Sequence, residues 1–133
     1  FPEIYAEAET KVIIDHHRRA SEDISDAVIF HHDPGASSAS EMVTELLPYI
    51  NPEINISKTV AEALLAGIML DTKDFVIGTG VHTFEAAAYL KDKKADMISV
   101  KKLFAIQFNC PLLRKIYTYT YILYYLYLNF KTN

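Results

Sequence analysis

Apolar positions change their rhythm along this chain. Early on they come in short runs, Val12-Ile13-Ile14 and then Ala27-Val28-Ile29-Phe30. Brief apolar runs rich in β-branched residues predict buried strands, covered on both faces as in a parallel sheet. From residue 39 the spacing turns helical. Ala39, Met42, Val43, Leu46 and Leu47 fall on one face behind Ser38-Ala39-Ser40-Glu41, which has the form of a capping box, and Pro48 or Asn51-Pro52 ends the helix. Thr59-Val60-Ala61-Glu62 repeats that form and predicts a second helix. Its residues through Leu70 are small or apolar nearly all round, which suits a central helix. Gly67 costs roughly 1 kcal/mol there relative to Ala, and close approach of another backbone would account for it. Residues 74–80 read as a turn with a short strand at Phe75-Val76-Ile77. Thr83 then caps a third helix with Phe84, Ala87 and Ala88 inward, and Asp96 caps a fourth over residues 97–104. Strands feeding a run of helices place the chain in the α/β class.

The first strand ends abruptly, in Asp15-His16-His17-Arg18-Arg19. In open α/β sheets ligands bind outside the carboxyl ends of strands. Carboxylate and imidazole together suit manganese, iron, zinc or magnesium. Two arginines beside them suit a phosphate, although solvated surface positions explain them equally well. A second cluster, His31-His32-Asp33-Pro34-Gly35, has the residue types of a metal site, but reads rather as a polar strand end and a turn, because consecutive residues on extended chain face opposite sides. At Ser37 and Ser38 the start of the first helix offers hydroxyls and amides that either cap the helix or meet a phosphate. Asp71 stands at the end of the second helix, where the helix dipole disfavours a carboxylate. It needs a cation nearby, either Lys73 or a metal.

Composition narrows the setting. At 133 residues the chain has the size of one domain. A net charge of −4 offers no basic surface for duplex nucleic acid. The single Cys110 excludes an intrachain disulfide and fits a reducing cytoplasm. The opening Phe1-Pro2-Glu3-Ile4 lacks the basic region and apolar core of a leader, and a start at Phe rather than Met points to a fragment. Three segments emerge: an acidic N-terminal end over 1–10, the site-bearing domain over 11–105, and a divergent tail over 106–133. The tail gathers Tyr117, Tyr119, Tyr121, Tyr124, Tyr125 and Tyr127. Its apolar run is shorter than the ~18 residues of a spanning helix. It favours strand and association, so it reads as a truncated or frame-shifted end capable of self-association, with an interfacial membrane segment as the alternative.

Four blocks, in this order and spacing, carry a resemblance. They are Asp15-His16-His17-Arg18-Arg19, Pro34-Gly35-Ala36-Ser37-Ser38, Glu41-Met42-Val43-Thr44-Glu45-Leu46-Leu47 and Ala66-Gly67-Ile68-Met69-Leu70-Asp71-Thr72-Lys73. Together they resemble the DHH phosphoesterase superfamily, and within it the membrane-anchored cyclic-di-AMP phosphodiesterases of Gram-positive bacteria, from about Lys11 to Phe104. The resemblance implies an incomplete parallel-sheet DHH domain with flanking helices. It implies hydrolysis of a cyclic dinucleotide to a linear one by two Mn2+ ions that bridge a water. His16 and Asp71 match metal ligands. Asp15 matches the motif acid that orients the histidine, and His17 the residue facing the substrate phosphate. Arg18, Arg19, Ser37, Ser38 and His82 are candidates for phosphate contact, with His82 standing where relatives carry arginine and Gly78 where they carry a basic residue.

The resemblance also implies what is missing. Relatives carry an earlier His-x-Asp-x-Asp block, a further Asp, and a following substrate-binding domain with a glycine-rich loop. Only two ligands of the dinuclear site are expected here, so the chain is expected to be inactive alone, with apolar surface exposed by a cut sheet. The parent would be a homodimer held at the cytoplasmic face of the membrane by segments outside this chain. Two other readings stay open. One is a different DHH hydrolase, a short-RNA oligoribonuclease or a manganese pyrophosphatase. The other is a non-catalytic interaction fragment associating through its tail.

Overall fold

A computed structural model of the protein describes residues 7–18 and 27–108. Arg19, Cys110 and nearly all of the tail segment lie outside the described residues. Two strands, β1 (Val12–Asp15) and β2 (Ile29–His32), pair in parallel, in the register Val12↔Ile29, Ile13↔Phe30, Ile14↔His31 and Asp15↔His32. Among the described residues four helices follow: α1 (Ala39–Ile50), α2 (Lys58–Asp71), α3 (Val81–Asp92) and α4 (Met97–Phe108). Parallel pairing with helices packed beside it is the expected α/β arrangement. Among the described residues no helix is long and apolar enough to cross a membrane.

Helix α2 is central. Its Ala61, Leu64, Leu65, Ile68 and Met69 are buried and meet Val43 and Leu47 of α1, Ala86 and Leu90 of α3, and Val100 of α4. Ile14 of β1 packs against this same cluster, which fixes the strand that ends in Asp15 on the helical core. At Gly67, α2 lies close against α1. A Cβ built there would stand 2.0 Å from Ser40 Oγ and 2.9 Å from Ser40 Cβ. The close neighbour is thus a side chain on α1 rather than another backbone.

Several boundaries differ from those the sequence predicts. The second strand lies two residues further on and takes in His31 and His32, while Val28, Ile29 and Phe30 are exposed. Residue 48 sits inside α1, and Asn51 terminates it. Helix α2 is capped two residues earlier, since Ser57 and not Thr59 accepts the Val60 amide. Residues 75–77 are not a strand. Lys73, Asp74 and Phe75 all take positive φ (49°, 60° and 66°), and the Asp74 amide bonds back to the Met69 carbonyl. This left-handed turn stops α2 and leaves Val76 and Ile77 exposed. In α3 the cap is Gly80, whose amide donates to Thr83 Oγ1, and Thr83, Ala86 and Leu90 face inward while Phe84 faces out. Asp96 does cap α4, accepting from the Ile98 and Ser99 amides.

The α1–α2 contact gives a direct test of this packing. Gly67→Ala gains roughly 1 kcal/mol of helix propensity but forces a methyl into the buried Ser40, a strain of about 1–3 kcal/mol. The urea midpoint is expected to fall, and to recover in part when Ser40→Gly is added. A midpoint that rises in the single variant would show that the two helices have room to spare.

Candidate functional site

Strand β1 ends on Asp15, and the chain turns at once. Asp15 Oδ1 makes that turn, accepting the His17 amide at 3.0 Å and the His17 Nδ1 at 2.7 Å. An ionised carboxylate only accepts, so His17 carries its proton on Nδ1 and directs Nε2 away from Asp15. The His17 ring is largely exposed and lies 4.7 Å from that of His16, centroid to centroid. Burial pushes the Asp15 carboxyl up, but the hydrogen bonds from His17 and the charges of His17 and His32 outweigh it and hold it below the usual range.

His16 turns the other way, toward the end of α2. Its Nε2 stands 3.5 Å from Asp71 Oδ2. Burial raises the Asp71 carboxyl above the ordinary range, opposed by the charges of His16 and His17. Among the described residues, the side chain beside Asp71 is thus the His16 imidazole and not Lys73. The next residue, Thr72, is fully buried and clamps this helix end. Its Oγ1 donates to the Ile68 carbonyl at 2.7 Å and accepts the Phe75 amide at 3.0 Å.

Two donors each about 2.1 Å from a divalent ion stand about 3.0 Å apart at a right angle and about 3.4 Å apart at a tetrahedral one. The His16–Asp71 spacing thus fits two adjacent ligands of one ion. No group of three or more His, Cys, Asp or Glu side chains among the described residues fits an ion. What the described residues supply is a pair of ligands, one from a strand end and one from a helix end.

The other predicted residues are placed as follows. Arg18 is exposed beside His17, and Arg19 lies outside the described residues. Ser38 caps α1, its Oγ accepting the Glu41 amide at 3.0 Å, and the Ser37 hydroxyl donates to the Glu41 carboxylate. Both serines are thus engaged at the helix start. His82 opens α3 between Glu45 Oε1 at 3.3 Å and Glu85 Oε2 at 3.4 Å. Two contributors escaped the sequence reading. Thr72 gave no signal beyond its place after Asp71. His32, which sends Nε2 to within 2.6 Å of the His17 carbonyl oxygen, could have been found by pairing the two strands from their ends.

Residues 2–68 match the DHH family, N-terminal domain. Over 92 residues the chain is 50% identical to the cyclic-di-AMP phosphodiesterase GdpP of Geobacillus thermodenitrificans, covering 69% of this chain and 14% of that protein. It is 42% identical over 100 residues to the cyclic-di-AMP phosphodiesterase PdeA of Listeria monocytogenes, covering 75% of this chain and 15% of the relative. A membrane protein–ribosomal subunit bL9 fusion protein of Onion yellows phytoplasma is 37% identical over 100 residues, 75% of this chain and 12% of its own length. The chain spans about 14% of the length of the first of these relatives.

The two carboxylates respond to pH with opposite sign. Asp71 has a raised folded pKa, so its contribution is full below the ordinary carboxylate range and is lost as pH rises through the folded value. Asp15 has a lowered one, so its contribution is present above the ordinary range and is lost as pH falls through the folded value. At neutral pH without divalent ions, Asp71→Asn is expected to raise the urea midpoint and Asp15→Ala to lower it. A lower midpoint for Asp71→Asn would mean that its charge is already compensated in the chain.

Proposed function

The chain belongs to the DHH family, and on that premise we propose that it is a piece of the catalytic domain of a metal-dependent phosphodiesterase acting on cyclic-di-AMP. The observation that carries the reading is the His16 Nε2–Asp71 Oδ2 pair, brought to 3.5 Å from elements more than fifty residues apart in sequence. A carboxylate raised by burial at a helix C-terminus gains most when a cation joins it. The relatives named as cyclic-di-AMP phosphodiesterases support the substrate class.

In this reading His16 and Asp71 hold one edge of a manganese site. When bound, the metal supplies a water of lowered pKa and positive charge beside the phosphoryl oxygens. The chain's own residues do the positioning. Asp15 holds the amide and ring of His17, so the His17 imidazole has one fixed orientation. With Nδ1 committed to Asp15, the His17 ring turns its Nε2 edge outward, toward the side from which a substrate phosphate would approach. Arg18 and Arg19 lie next in sequence and add charge for the substrate's phosphates. The described residues thus supply a half-site, for which no turnover is expected without further ligands and nucleobase contacts.

Calorimetric titration of manganese into the chain, beside His16→Ala and Asp71→Ala, tests this. Saturable binding that disappears in both variants is expected, together with no hydrolysis of cyclic-di-AMP by the chain alone. Binding indifferent to both substitutions would remove the proposed ligands. Turnover by the chain alone would remove the half-site.

A further inference from the structure

His17 is held by two strands at once. Its amide and Nδ1 go to Asp15, on its own strand, and its carbonyl oxygen lies 2.6 Å from His32 Nε2, on β2. A carbonyl only accepts, so His32 carries its proton on Nε2. His32 is the last residue of β2 and sits directly opposite Asp15 in the parallel register. It is half-buried, and its ring stacks on Phe30, two residues back on the same strand face, at 5.9 Å and 26°. The orientation of the His32 ring is therefore set by β2, independently of the turn whose carbonyl it holds.

We infer that His32 is a positioning residue of the site, acting through the His17 carbonyl to hold the two motif histidines in their working arrangement. Asp15 fixes the amide side and the ring of His17, while His32 fixes its carbonyl side. With both peptide groups of His17 tied, the turn cannot rotate without breaking a hydrogen bond on one strand or the other. His16 is enclosed between Asp15 and His17 in sequence, with its ring beside that of His17. Whatever holds the His17 peptide also holds the direction in which His16 Nε2 points toward Asp71. The consequence for metal binding rests on the proposed function; the consequence for His17 does not.

The test has a metal-free arm and a metal arm. Long-range proton–nitrogen spectra of the chain at neutral pH should show His32 as the Nε2–H form and His17 with its proton on Nδ1. In His32→Phe, with unchanged far-UV dichroism, the His17 ring should lose that single form and average between the two. With manganese as the probe, His32→Phe should bind about tenfold more weakly than wild type, the usual scale for a partner that orients a ligand. His32→Gln, which restores an N–H donor on a side chain of similar reach, should stay near wild type. A His32 proton on Nδ1, a His17 signature untouched by His32→Phe, or a Gln variant as weak as the Phe variant would overturn the inference. Should the wild-type chain bind no manganese, the proposed function fails by itself, and the spectra of His32 and His17 still decide this one.

Discussion

A carboxylate sits where a helix least favours one. Asp71 is the last residue of α2, facing the negative end of its dipole and partly withdrawn from water, and its pKa is raised accordingly. A fold optimised only for stability would place a lysine or a neutral residue there. Helix α2 instead carries the acid directly opposite the imidazole that emerges from β1. The two elements are locked by packing that has nothing to do with the charge. Ile14 anchors β1 on the core, Thr72 clamps the helix end, and the Gly67–Ser40 contact sets how closely α1 and α2 approach. The strain at Asp71 is thereby kept in place, because relaxing it would disturb buried side chains on three elements.

The turn after β1 solves a second problem with few atoms. One carboxylate oxygen of Asp15 both closes the backbone of the turn and fixes the ring of His17. That leaves His16 and His17 facing different ways, one toward Asp71 and one toward solvent. The proposed division of labour, one histidine on a metal and its neighbour on the substrate, draws on this difference.

The sequence made the main elements and the motif legible for physical reasons. A β-branched run ending in charge can hardly be read otherwise than as a strand reaching a site, and the helical spacing after residue 39 matches α1 and α2 closely. The losses came where local chemistry competes. Thr59 has the composition of a cap, but Ser57 takes the role because Ile56 just before it is buried and fixes the chain's entry into α2. Phe75-Val76-Ile77 has strand composition, yet Lys73, Asp74 and Phe75 adopt left-handed backbone that composition does not encode. Phe84 is the largest apolar residue of α3 and still faces outward, since the inward positions are set by the approach to α1 and α2 and filled by Thr83, Ala86 and Leu90. At the site, the motif singled out Asp15, His16, His17 and Asp71, which the structure brings together, whereas the contact of His32 with the His17 carbonyl emerges only once the strand register is known.

Central to the proposed function is that His16 and Asp71 share an ion. Soaking crystals of this chain with manganese and mapping its anomalous scattering tests that claim without any reference to activity. A peak within about 2.1–2.2 Å of both His16 Nε2 and Asp71 Oδ2, the range for nitrogen and carboxylate ligands of divalent metals, is the predicted result. A peak at His31, His32 and Asp33 with none between His16 and Asp71 would contradict it.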